Sequence, residues 1–359
     1  MSQLKSLALR LPYPMLNAGR RVRGHLRVAR ARRAAQGRIP MTFEHALEAA
    51  KRGLLDAAQD VHWLDGHADA AGAHAQGQAR WARAFGQYRQ AGAQPALKLL
   101  WADGPSPGNF GDWLSPYLLH RLSGRAIELV DDYRAPALPH WVAVGSLAPA
   151  IGAHAHVLGA GAAHEGARMH RHATYHSVRG PHTATALRRS GGPSVDRFGD
   201  LGFILSRLYT PRPVRLDAQV LLVRHMNHRH LPLALPEGVV ELSIEAAAAT
   251  DIERFIDILC AAPLVVTSAM HCFIACQSYG VPCALVNFAQ DRRAVYGDGT
   301  KYLDAMAGVG LTPRLPTLLP AHFDLRTAGS LVTGERVAAS VIDEIHHHAR
   351  QVLRAQTQG

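Results

Sequence analysis

From residue 96 to residue 288 one local pattern recurs: a short apolar run, a turn rich in glycine, then a segment with helical spacing. Parallel strands need a crossover of a dozen or more residues, usually a helix, so this alternation points to parallel sheets with helices on their faces. Runs at 96–103, 140–146, 155–161 and 173–179 predict strands of a first lobe, with helices at 111–124 and 180–191. Pro116 is expected in or near the first turn of the earlier helix, where proline is tolerated. Pro211 and Pro213 mark a linker, after which strands at 218–225, 238–244, 263–268 and 281–288 accompany helices at 250–262 and 270–280. A chain of 359 residues suits two such lobes, because single cores stop growing near about 250 residues. The expected fold is α/β, with two Rossmann-like lobes over residues 96–212 and 213–330. An Ala-rich helical subdomain is expected over 41–95, and a C-terminal helix within 331–359 that packs back across the lobes. No internal repeat is legible.

The formal net charge of +11 would suggest a nucleic-acid partner if it were spread over the fold. It is not spread. Residues 1–40 hold ten Lys and Arg and no acidic residue, so this leader carries +10 and the remaining chain is close to neutral. A neutral body lacks the basic face that phosphate-backbone binding needs, and nucleic acid is not expected as a partner. Arg10, Pro12 and Pro14 interrupt the leader's apolar run, which argues against a secretory signal or a membrane span. On a helix, Val22, Leu26 and Ala29 share a stripe flanked by Arg20, Arg23, Arg27 and Arg30, a pattern suited to peripheral contact with anionic membrane. A disordered basic tail and an organelle transit peptide are the other readings of the same residues. Two uncharged stretches, 135–164 and 258–290, are broken by prolines, glycines and histidines, and read as buried parallel strands. Cys260, Cys272, Cys276 and Cys283 lack metal-site spacing and are expected to be buried, reduced thiols, as in a cytoplasmic protein; no metal is expected.

In open parallel sheets, ligands bind beyond the carboxyl ends of the strands. Asn109, Gly111 and Asp112 occupy such a place, with Asp112 either a general base, a helix N-cap, or both. Gly145 and Ser146 end another strand, where the glycine is equally explained by a tight turn. Arg179 ends a strand before a helix, placed to grip a carboxylate or phosphate, although a surface arginine would look the same. Ser268 can cap the next helix, and His271 would then lie in its first turn, as a proton carrier, a phosphate ligand or a satisfied core residue.

The blocks NFGDWLSPYLLHRLSG, VAVGSLAPAIGAHAHVLGAGAAHEG, HSVRGPHTATALRRSG with FGDLGFIL, and VVTSAMHCFIACQSYGVP occur in this order between residues 98 and 288. Together they resemble the polysaccharide pyruvyltransferase family, particularly the bacterial ketal-pyruvate transferases of exopolysaccharide synthesis. The resemblance implies a fold like the type-B glycosyltransferases and no cofactor. It also implies phosphoenolpyruvate as donor and a lipid-linked saccharide or polysaccharide as acceptor, at the inner face of the membrane. Arg179 and His271 fall on the family's arginine and histidine for donor binding or acid catalysis, and Asn109 and Asp112 on its acceptor side. Arg224 and His225 are further donor candidates. Ala269 stands where many members have arginine, so the donor grip must rest on Arg179, Arg224 or another cation. The usual GDP is GDL at 199–201, which leaves the role of Asp200 open. Two rivals remain: a nucleotide-sugar glycosyltransferase, for which Glu237 and Glu245 have a suitable spacing, and a noncatalytic membrane-associated scaffold.

Overall fold

A computed structural model of the chain describes residues 13–54, 64, 68, 69, 71–90, 95–130, 138–292 and 295–355, with side chains from residue 24 onward. The leader's residues 1–12 lie outside the described residues.

The first sheet comprises β1 (Leu97–Leu100), β2 (Ile127–Leu129), β3 (His140–Val142), β4 (Ala155–Leu158) and β5 (Thr174–Ser177). The second comprises β6 (Val220–Val223), β7 (Val239–Glu241), β8 (Val265–Thr267), β9 (Cys283–Phe288) and β10 (Thr317–Leu319). All pairings are parallel. Their spatial orders, β2-β1-β3-β4-β5 and β7-β6-β8-β9-β10, are one topology used twice. Central strands such as β6 and β8 are buried along their whole length, as strands covered on both faces must be. The uncharged stretches supply β3, β4, β8 and β9. Among the described residues no helix is long and apolar enough to cross a membrane.

Among the described residues the helices α1 (Tyr13–Ala35), α2 (Phe43–Arg52) and α3 (Ala73–Arg89) precede the sheets. Most of the basic leader is thus helical, and α1 packs on α2. The lobes contribute α4 (Phe110–Ser123), α5 (Pro181–Arg189), α6 (Ala249–Ala261), α7 (Met270–Tyr279) and α8 (Thr300–Ala307), and α9 (Ala339–Ala355) ends the described chain. Gly124 and Gly280 close α4 and α7 in the left-handed conformation that favours glycine. Two details depart from the sequence reading. α4 begins at Phe110, so Pro116 falls in its second turn, where its missing N–H leaves the Asp112 carbonyl without a helical partner. β2, β10 and α8 were not foreseen, being only three, three and eight residues long.

One apolar core runs through both lobes, joining Trp113 and Leu114 of α4 to Phe273 and Ile274 of α7 and to Leu221 and Val265 of the second sheet. Phe110 stacks on Phe255 of α6 with ring centroids 4.1 Å apart. α9 returns to α4 and to the 3-10 turn Leu201–Ile204 of the first lobe. On the opposite side α8 docks against α5 through two glycines. A Cβ on Gly180 would overlap the Asp304 carbonyl, and one on Gly308 the Arg179 carbonyl. Backbone atoms cannot yield as a flexible side chain does. Gly180→Ala and Gly308→Ala should therefore each lower stability by about 3 kcal/mol in urea unfolding. Gly86→Ala on α3, where a Cβ meets nothing within 4 Å, should be neutral or raise stability by about 1 kcal/mol.

Candidate active site

In a sheet of this strand order the crevice opens where the chain reverses direction, beyond the first and third strands of each lobe. In the first lobe these are β1, leading to Asn109 and Asp112, and β3, leading to Gly145 and Ser146. In the second they are β6, leading to Arg224 and His225, and β8, leading to Ser268 and His271. Two crevices on one shared core bring these loops together.

Asn109 is the N-cap of α4: its Oδ1 accepts from the Gly111 amide at 2.9 Å, and its Nδ2 donates to Met226 Sδ at 3.4 Å. Capping is thus done by Asn109, which leaves the Asp112 carboxylate without a hydrogen-bond donor among the described residues. Burial pushes the Asp112 pKa up to about 6, opposed by the positive charge of His271 and Lys301. Gly111 has no room for a side chain, because a Cβ would overlap the His271 ring. Its role is to let the first turn of α4 lie against that imidazole.

His271 lies in the first turn of α7, but Ser268 does not cap this helix; the N-cap is Ala269, with no side-chain bond. The Ser268 hydroxyl accepts from the His225 amide at 2.8 Å and meets His228 Nδ1 at 2.9 Å. His228 Nε2 lies 3.1 Å from the Asp291 carbonyl, which can only accept. Nε2 therefore carries the proton and Ser268 donates to Nδ1, leaving the hydroxyl fully engaged in positioning. His225 Nδ1 accepts from the Asn227 amide at 3.2 Å, which places its proton on Nε2. Burial, with the charges of Lys301, His228 and His271, holds the His225 pKa down at about 3, so the ring is neutral at physiological pH.

The open role of Asp200 resolves into a partnership with His271. Asp200 Oδ1 accepts from the Gly202 amide at 2.9 Å, while Oδ2 lies 3.5 Å from His271 Nε2. Among the described residues neither of those two facing buried atoms has a hydrogen-bond partner. A carboxylate of one lobe thus faces an imidazole of the other at 3.5 Å.

The two predicted arginine grips are engaged elsewhere. Arg224 meets both carboxylate oxygens of Glu241 at 2.7 Å and donates to the His228 and Leu231 carbonyls. Arg179 is fully buried: Nε pairs with Asp304 at 3.0 Å, Nη1 donates to Ser146 at 3.1 Å, and Nη2 to the Ala162 carbonyl. The glycines of the strand ends serve this guanidinium. Gly161 leaves space where a Cβ would overlap it, and the Gly161 amide donates to the Gly145 carbonyl at 3.0 Å.

The cation that remains is Lys301, three residues before Asp304 on α8, which sequence reading missed. Its only signal was a lysine and an aspartate three apart in the otherwise apolar segment KYLDAMA. Lys301 is buried, and among the described residues its ammonium has no hydrogen bond or ion pair, only the Tyr302 ring at 5.2 Å. Burial and the Arg179 charge lower its pKa to about 8, against the pull of Asp112. Lys301 acts electrostatically on Asp112 and His225, and His271 acts on the same two groups. Asp112, His271, His225 and Lys301 are therefore electrostatically linked across the two lobes, with Asp200 beside the imidazole.

Residues 131–288 match the family described as polysaccharide pyruvyl transferase. This stretch, less than half of the chain, is similar to that family. It supports the family that the sequence resembles, and the family is one of transferases. The match takes in Arg179, Asp200, Arg224, His225 and His271, while Asp112 and Lys301 lie outside it. No curated protein and no solved structure matches the chain. Of the two glutamates whose spacing suggested a nucleotide-sugar site, Glu237 is exposed and Glu245 pairs with Arg229. The thiols of Cys272, Cys276 and Cys283 are buried and Cys260 is partly so.

Removing one member of a buried pair strands the other's charge. Arg179→Met and Asp304→Leu should each cost about 3–5 kcal/mol in denaturant unfolding, and the double variant less than the two together. Lys301→Met, which removes an unpaired buried cation, should instead stabilise by about 1–3 kcal/mol.

Proposed function

We propose that this chain moves the pyruvyl group of phosphoenolpyruvate onto a sugar of an exopolysaccharide precursor as a cyclic ketal, releasing phosphate, in the cytoplasm. The observation that carries this reading is the unpaired buried ammonium of Lys301, in electrostatic reach of the Asp112 carboxylate, as is the His271 imidazole. A donor bearing a carboxylate and a phosphate needs a desolvated cation; acid and base must flank it.

In this reading Lys301 holds the donor's anionic groups, and the neutral His225 donates from Nε2. His271, oriented by Asp200, delivers a proton to C3 of the enol, leaving C2 an oxocarbenium-like electrophile. Asp112 takes the proton of the first sugar hydroxyl as its oxygen bonds to C2. The second hydroxyl then attacks C2, the bond from C2 to the phosphate oxygen breaks, and the second hydroxyl's proton leaves with phosphate. The balance is one donor and one diol to one ketal and one phosphate. Asn109 and Gly111 act here by shaping α4, Ser268 by placing His225, and Gly145 and Ser146 by seating Arg179.

Incubation of the protein with phosphoenolpyruvate and a saccharide acceptor should release phosphate and add a pyruvate ketal detectable by mass spectrometry; phosphate release without acceptor pyruvylation would sink the reading. The base must be ionised, so kcat/KM should rise as pH climbs through about 6. The cation must be protonated, so it should fall again through about 8, mainly through KM for the donor. Asp112→Asn should remove the acidic limb and lower kcat by about 10²–10⁴-fold, whereas Lys301→Met should act mainly by raising KM for the donor.

A further inference from the structure

The arginines of α1 have no part in this chemistry, yet the helix is built to present them. Gly24, Ala31 and Ala34 are buried, and the helix rests on α2, so small residues let the two helices approach closely. Arg27, Arg30, Arg32 and Arg33, with Arg38 just beyond the helix, are all exposed and none is in an ion pair among the described residues; Arg30 and Arg33 lie on the outward face. Among these arginines stands Leu26, a large apolar residue that is 54% exposed. At 100° per residue Leu26 lies between Arg30 and Arg33, opposite the buried stripe.

We infer that the outward face of α1 docks on a bilayer surface bearing anionic phospholipid headgroups. Charge alone would suit any polyanion. The exposed leucine between two arginines decides for a membrane, because an apolar side chain enters the acyl boundary while flanking arginines reach the headgroups along their apolar stems. A nucleic-acid backbone offers Leu26 nothing comparable.

The placement of α1 gives this docking a consequence for the cleft. Lys51, in the last turn of α2, pairs with Asp103 in the loop between β1 and α4. Trp81 of α3 and Trp113 of α4 both donate to the Asp103 carbonyl, at 2.6 and 3.2 Å. That loop leads directly to Asn109 and Asp112. The bilayer-facing helix is therefore tied by packed elements to the lip of the cleft beside Asp112, and a membrane-borne acceptor would be met at that lip. This second step rests on the proposed function; the docking itself does not.

The test is co-sedimentation of the full chain with vesicles of phosphatidylcholine containing 0–40 mol% phosphatidylglycerol. Binding should rise with anionic lipid and fall with salt. Arg30→Glu/Arg33→Glu should weaken partitioning about thirtyfold or more, and Leu26→Ser about tenfold. Both variants should keep the unfolding midpoint and any turnover of a water-soluble acceptor. Unchanged partitioning in the charge-reversed variant overturns the docking. So does equal binding of a single-stranded oligonucleotide by the parent protein and Leu26→Ser together with undiminished vesicle binding by that variant, which would mark a general polyanion site. Loss of vesicle binding in the charge-reversed variant, with no pyruvyl transfer by the parent protein in any assay, would leave the docking standing and reject the enzymatic reading alone.

Discussion

The buried pair of Arg179 and Asp304 is the contact on which the arrangement of this molecule turns. Two charges removed from water are tolerated only when their hydrogen bonding is nearly complete. Here Asp304 Oδ2 receives Arg179 Nε and the Thr183 hydroxyl at 2.6 Å, while Oδ1 receives the Thr183 amide at 3.0 Å. Arg179 belongs to the first lobe and Asp304 to the second. Their pairing draws α8 onto the start of α5 so closely that only glycine fits at Gly180 and Gly308. Because Lys301 lies one helical turn before Asp304, the same pair sets the position of the free cation.

Three electrostatically linked groups owe their different properties to partners they have or lack. Asp112 is desolvated, which pushes its carboxyl up to about 6, and the cap position beside it is taken by Asn109. Lys301 is desolvated next to another cation, so its charge is held only weakly. His225 is surrounded by positive groups and remains neutral. The arginine of the family stretch works one layer further back, by anchoring the helix that carries the lysine.

Much of the architecture was legible in order along the chain. Buried parallel strands must be apolar on both faces, so VLLV and VVT announce themselves, and Gly124 and Gly280 mark the ends of the helices that follow β1 and β8. The strands that escaped notice, β2 and β10, lie at sheet edges, where three residues suffice and half-exposed positions blur the apolar signal. The repetition of one topology in both lobes was also invisible, because strand order depends on spatial neighbours and leaves no mark on residue spacing.

The site divides along the same line. Local sequence was enough to bring Asp112, His225 and His271 to the carboxyl ends of strands, because a strand followed by a turn and a helix always delivers its loop there. Which cations were free depended on folding. Arg179 and Arg224 read as anion grips until Asp304, 125 residues away, and Glu241 are seen to occupy them. Lys301 read as nothing until burial without a partner set it apart. Residue type and spacing record which groups can reach a cleft; pairing across the fold decides which of them are left to bind a substrate, since a charge satisfied by its own protein has little left to offer another molecule.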